Sequence, residues 1–202
     1  MTTKNFPDYC LATNKAYEVL AQIKPFRLEP NIMEIISRYQ NIAVHSYSEL
    51  MTRFHLSRTE LFDTVSSEYG LTVFNPQLQK YEIFYNDAKS KSVIRFTLAH
   101  ELGHILLNHT KDDEISKKEA NCFARNLLCA IPVIDELEIQ TIRDIAYVFE
   151  VGEYMASISY NHFNSDRYYI RKELYDQLRA KTVAYMYGYN SVAEFNGMTY
   201  YT

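Results

Sequence analysis

Residues 95–109 read RFTLAHELGHILLNH and contain a histidine, a glutamate and a second histidine in the order H-E-x-x-H. The segment has no proline and is rich in leucine and isoleucine, which predicts a helix over about residues 93–108. On a helix, His100 and His104 share one face with their Cβ atoms ~5 to 6 Å apart, so two imidazole nitrogens can converge on one zinc ion. Glu101 lies beside that face and can take a proton from metal-bound water. The presence of this glutamate favours a metal-binding role for His100 and His104 over a purely structural role on an amphipathic helix.

A hydrolytic zinc site needs a third protein ligand and an open fourth position. If the helix continues, His109 lies nine residues after His100 and points away from the metal face, which makes it a poor ligand. The extended metzincin motif is absent, because Leu107 and Thr110 stand where its glycine and last histidine would be. A third ligand is therefore expected further along the chain.

Glu119 is the best-placed carboxylate, because residues 112–114 lie in a polar connection typical of a solvated turn. A stripe at helical spacing predicts a second helix over residues 116–130, ended by Pro132, and consists of Ala120, Phe123, Ala124, Leu127 and Leu128. Glu119 lies beside this stripe, so packing of the two helices could bring it to the metal. Ser116-x-x-Glu119 is also a capping box, in which Glu119 accepts from the Ser116 backbone N–H. Spacing alone leaves both roles open.

The other segments predict an α+β fold, with a small mixed or antiparallel sheet packed on the H-E-x-x-H helix. Helices are expected over residues 8–23, after Pro30, over 57–69 and within 142–158, and strands over 42–47, 71–74 and 81–85. Eleven of the eighteen tyrosines lie from Tyr147 onward. This tail is either a helical extension packed on the main body or a contact surface for a partner.

The composition narrows the class of protein. The 202 residues carry a net charge of -4 with Lys and Arg scattered, which disfavours a role in binding nucleic acid. No apolar run approaches the ~20 residues of a membrane span, and the first ten residues do not read as a signal peptide. Three cysteines without C-x-x-C spacing are typical of a reducing compartment. We therefore expect a cytoplasmic protein without membrane or direct nucleic-acid partners.

Two blocks of the sequence resemble the ImmA/IrrE-type metallopeptidases. The first is residues 95–109, and the second is residues 119–128, EANCFARNLL, which is similar to the family's E-A-N-x-F-A-x-x-L-L. The resemblance implies a gluzincin-like site in which His100, His104 and Glu119 bind Zn²⁺ and Glu101 is the catalytic base. Manganese or iron is disfavoured by a tetrahedral set of two imidazoles and one carboxylate.

The resemblance also implies the domain organisation. We expect a zincin-like metallopeptidase domain over residues 1–132, with its core at 70–132 and N-terminal helices and a strand at 8–69. A small helical, tyrosine-rich region follows over residues 133–202. The apolar residues in part of this region are spaced as in the family's helix-turn-helix-like segment. However, Glu150 and Glu153 occupy positions at which a DNA-binding helix needs neutral or basic side chains. We therefore expect a structural helix pair there.

The expected activity is that of a zinc endopeptidase. The resemblance implies a protein substrate, often a helix-turn-helix repressor that controls a mobile element or a stress response. The substrate would pair with an edge strand near residues 81–85, and the oxyanion donor stays unassigned among His109, His162 and several tyrosines. The alternatives are a zinc-bearing module that binds a regulator without cutting it and a toxin-antitoxin partner. A base at Glu101 argues against a purely structural zinc site.

Overall fold

The computed structural model describes residues 6–65 and 67–199. Within these ranges the chain forms three strands, β1 Ile42–Ser46, β2 Gly70–Asn75 and β3 Lys80–Tyr85. The helices there are α1 Tyr9–Gln22, α2 Ile32–Ser37, α3 Tyr47–Phe54, α4 Arg58–Val65, α5 Lys91–Leu106, α6 Glu114–Leu128, α7 Ile131–Glu136, α8 Ile142–Val148, α9 Glu153–Arg167, α10 Lys172–Met186 and α11 Val192–Thr199. The α+β class predicted from the sequence is confirmed.

The three strands form a mixed sheet in the order β1-β3-β2. Strand β3 runs parallel to β1 and antiparallel to β2, with Ile83 opposite both Val44 and Thr72. The prediction of an edge strand near residues 81–85 is therefore wrong, because the main chain of β3 is hydrogen-bonded on both sides. The edges of the sheet are β1 and β2, and β2 and β3 pack on α5.

Helices α5 and α6 are the two helices expected from the sequence, and they pack closely on each other. The closest approach is at Gly103, where a Cβ atom would lie 2.9 Å from Cδ1 of Phe123 and 3.3 Å from Cα of Ala120. A side chain at residue 103 would therefore push the helices apart. The absence of that side chain lets α5 approach the middle of α6 closely at this point.

The sequence patterns predict most of the helices and strands, but not all of them. Helix α3 was not predicted, although its capping box, made by Ser46 and Glu49, is visible in the sequence. The box predicted at Ser57 and Glu60 is present and begins α4. The helical region predicted within 142–158 divides into α8 and α9, because the chain turns at Glu150, whose φ is 48°.

The C-terminal helices share a hydrophobic core with α5 and α6, since Leu174 and Leu178 of α10 belong to the same cluster of buried residues as Leu98 and Phe123. The boundary proposed at residue 132 stays a prediction. No helix of the described ranges is long and apolar enough to cross a membrane.

Some tyrosines of the tail pack on the main body, and others are exposed. Tyr169 packs on Tyr9, and Tyr185 packs on Phe26. In contrast, Tyr154 and Tyr168 are 82% and 90% exposed. Tyr200 and Tyr201 lie outside the described residues.

Candidate active site

The two histidines of the motif lie side by side on α5, one turn apart. Their Nε2 atoms are 3.0 Å from each other. Burial lowers the pKa of His100 and of His104 to about 4, so both rings are neutral at pH 7. A neutral ring keeps one nitrogen lone pair, which is the form that binds a metal.

This geometry fits a divalent metal. Two imidazoles bound to one tetrahedral zinc at ~2.0 to 2.1 Å hold their nitrogens about 3.3 Å apart, within a few tenths of an ångström of the separation seen here. The Nδ1 atom of His100 is buried and has no hydrogen-bond partner among the described residues. Within the same residues, however, no three His, Cys, Asp or Glu side chains are grouped as a metal site.

Glu101, which follows His100 on α5, is buried and contacts strand β2. Its Oε2 atom accepts a hydrogen bond of 2.8 Å from the Thr72 hydroxyl. Burial raises the pKa of Glu101 to about 7, and the Thr72 bond only partly offsets this rise. A carboxyl with a pKa near the working pH suits a group that takes and returns a proton.

His109 lies in the site, contrary to the prediction that it points away. Helix α5 ends at Leu106, and Asn108 adopts a left-handed conformation with φ 55°. The His109 N–H then bonds to the His104 carbonyl at 3.0 Å, and the chain reverses direction. The prediction assumed that the helix continued. An asparagine that readily takes this conformation just after a helix was the signal for its end.

Glu119 is almost fully buried in α6 and contacts His109. Its Oε2 atom is 2.9 Å from Nε2 of His109, and its Oε1 atom accepts the backbone N–H of Asp8. The structure thus brings His100 and His104 together at one point and joins Glu119 to His104 through His109.

The alternative role of Glu119 in a capping box is excluded. Helix α6 begins earlier than predicted, at Glu114, and Asp113 caps it by accepting the Ser116 N–H at 2.8 Å. Ser116 is therefore inside the helix. Asp112 is exposed and pairs with Lys117 at 3.3 Å, in keeping with a solvated turn.

A family model described as the IrrE N-terminal-like domain, Peptidase_M78, matches residues 51–158. This is more than half of the chain, and it includes α5, α6 and strand β2. The chain belongs to the M78 peptidase family. The resemblance to ImmA/IrrE-type proteins is thereby confirmed, and the M78 domain supports a metallopeptidase-type activity.

The M78 match extends beyond residue 132 into α8 and α9. Two hydrogen bonds join α5 to the end of α8. Arg95 of α5 donates to the carbonyls of Phe149 and Glu150 at 2.9 and 2.6 Å, at the end of α8. No curated protein matches the chain.

Proposed function

We propose that this M78 domain is a zinc-dependent endopeptidase that hydrolyses a peptide bond in a protein substrate. The observation that carries the proposal is the pair of neutral imidazoles whose Nε2 atoms face each other at 3.0 Å, on the same helix as the buried Glu101. In this proposal His100, His104 and Glu119 hold the metal. Glu119 is included because of the family resemblance, and its contact with His109, which in turn contacts His104, supports this choice.

Glu101 is proposed as the base. Zinc bound here supplies a Lewis acid that polarises the scissile carbonyl and makes water more acidic. Glu101 accepts a proton from the attacking water and returns it to the nitrogen of the leaving amine. The Thr72 hydroxyl donates to Oε2 of Glu101 and so leaves Oε1 to accept the proton.

Strand β2 is the edge strand of the sheet that contacts Glu101, the proposed base. It pairs with β3 on one side, and among the described residues no strand pairs with its other side. Thr72 of this strand contacts Glu101, so a peptide laid along β2 passes next to the proposed base. Val73 and Phe74, which are exposed, offer apolar contacts to the side chains of such a peptide.

The substrate class follows from the family resemblance. We propose that the substrate is a helix-turn-helix repressor of a mobile element or a stress response. The protein would cut it in the cytoplasm. We propose no direct contact of the protein with nucleic acid or with a membrane. We propose zinc as the metal because the proposed ligands are two imidazoles and one carboxylate.

Cleavage of a repressor tests the proposal. Purified helix-turn-helix repressors encoded beside the chain are incubated with the zinc-loaded protein, and the products are identified by mass spectrometry. We expect discrete fragments that disappear when a chelator is added and return when zinc is restored. A stable complex without fragments contradicts the endopeptidase and supports the module that binds without cutting.

A further inference from the structure

The segment before α1 reaches the candidate site. The backbone N–H of Asp8 donates to Oε1 of Glu119, a residue that lies 111 positions later in the chain. Glu119 is almost fully buried, so the loss of this bond would leave a buried carboxyl oxygen without this donor. Neither of the two sequence blocks that carry the family resemblance includes Asp8.

The donor and the acceptor of this bond are fixed by their chemistry. A backbone N–H can only donate, and a carboxyl oxygen accepts. Asp8 is the N-cap of α1, where its side chain accepts the Leu11 N–H at 2.9 Å and its carbonyl accepts the Ala12 N–H at 3.1 Å. The N–H of an N-cap residue precedes the helix and takes no part in the hydrogen bonds of the helix. It is therefore available to Glu119 at no cost to α1.

Helix α1 lies along α6, which determines where this N–H is held. Buried side chains join the two helices at two further turns, Thr13 to Cys122 at 3.4 Å and Tyr17 to Asn126 at 2.7 Å. Later residues of α1 meet later residues of α6, so the two helices run in the same direction. The bond to Glu119 lies at the end of this row, next to the candidate site.

We propose that Asp8 is a positioning residue whose backbone N–H holds the carboxyl group of Glu119 in one orientation beside His109, ready to bind the metal. The inference rests on the proposed function, because it takes Glu119 as the third metal ligand. A group that hydrogen-bonds to a metal ligand orients that ligand, and its loss typically weakens metal binding. Every residue except proline supplies a backbone N–H, so no sequence motif marks this role.

Zinc affinity measures this role without reference to catalysis. Asp8→Pro removes the N–H, and competition with a chromophoric chelator should show a Kd about 10- to 100-fold higher than that of the wild type. Asp8→Ala keeps the N–H but loses the side-chain cap of α1, so it should bind zinc as the wild type does while its urea midpoint falls. The inference is wrong if Asp8→Ala weakens zinc binding as much as Asp8→Pro does.

An ester in place of the amide between Pro7 and Asp8 changes only this N–H, and so decides the matter even if Asp8→Pro does not fold. A synthetic peptide of residues 1–9 that carries the ester can be ligated to residues 10–202 at Cys10 to give the full chain. The same ligation with the natural amide is the matched control. We expect the ester chain to have the same 10- to 100-fold higher Kd. An equal Kd for the two ligated chains would overturn the inference.

Thr13→Val separates positioning from general support of the fold. It removes the next contact between α1 and α6 and keeps the size of the buried side chain. We expect a lower urea midpoint with an unchanged zinc Kd. If Thr13→Val raises the Kd as much as the ester does, the N–H of Asp8 acts only by holding the helices together, and its positioning role is wrong.

The failure of this inference can be told from the failure of the proposed function. If the wild type binds zinc and cuts its substrate while the ester chain keeps the same zinc affinity, the role of Asp8 is wrong and the proposed activity stands. If the wild type binds zinc without cutting, the proposed activity is wrong, and the zinc affinities still decide the role of Asp8. If the wild type binds no zinc, both are wrong.

Discussion

Glu101→Gln is expected to lower kcat/KM for the substrate by about 10²- to 10⁴-fold while the protein stays folded and binds its metal. Glutamine has almost the same shape and can still accept the Thr72 hydrogen bond through its amide oxygen. It cannot take a proton from water at neutral pH. The measurement is the initial rate of fragment formation with equal concentrations of zinc-loaded wild type and variant.

Two controls make this result specific to the base. Glu173→Gln changes an exposed glutamate at the beginning of α10 and should cut at the wild-type rate. Bound zinc, measured on the same Glu101→Gln sample, should equal that of the wild type. If Glu101→Gln cuts as fast as the wild type, Glu101 is not the base.

Asp166→Asn is expected to lower the free energy of unfolding by about 3 to 5 kcal/mol, the typical cost of removing one partner of a buried ion pair. Oδ2 of Asp166 accepts from Nε and Nη2 of Arg125 at 2.9 and 2.7 Å, and from Nδ2 of Asn126 at 2.9 Å. Both charged side chains are at most 9% exposed. The variant therefore leaves the Arg125 guanidinium buried without its counter-charge.

The effect should reach beyond the pair because the same polar network joins four helices. Asn126 accepts the Tyr17 hydroxyl at 2.7 Å, and the Tyr17 oxygen accepts the backbone N–H of Ile131 at 3.2 Å. Helices α1, α6, α7 and α9 thus meet at these side chains. Loss of the Asp166 carboxylate should loosen the helices around α6, the helix that carries Glu119.

Equilibrium unfolding in urea measures this loss of stability. Asp176→Asn breaks the exposed pair with Lys172 and should leave the urea midpoint unchanged. Replacing both members, with Arg125→Met and Asp166→Leu, should recover part of the stability lost by Asp166→Asn, because no unpaired charge then stays buried. A midpoint for Asp166→Asn equal to that of the wild type would show that the pair does not stabilise the fold.

The sequence alone predicted those parts of the fold that depend on local periodicity. Helix α6 follows directly from the spacing of its apolar residues, whereas α5 is indicated by its leucine and isoleucine content and its lack of proline. The four-residue separation of His100 and His104 then places them on one face of α5. Strand order could not be predicted in this way, since β3 has the composition of any half-buried strand and its central place depends on pairing with β1 and β2. The assignment of 81–85 as an edge was wrong for this reason.

In the candidate site, too, features set by neighbouring residues could be predicted from the sequence, and features set by the ends of the helices could not. The metal-binding face was visible in the spacing of four residues, whereas the position of His109 depended on where α5 ends. The role of Glu119 depended on where α6 begins, because a start at Glu114 removes the capping box with Ser116. One residue in a left-handed conformation, Asn108, changed which side chains meet.

The metal content of the purified chain tests the central claim most directly. After dialysis against zinc and removal of free metal, elemental analysis should find one zinc ion per chain, and crystals should show one anomalous peak among His100, His104 and Glu119. Replacement of both histidines by alanine should abolish this binding. A wild-type protein that retains no zinc, or a peak elsewhere in the chain, would contradict the account.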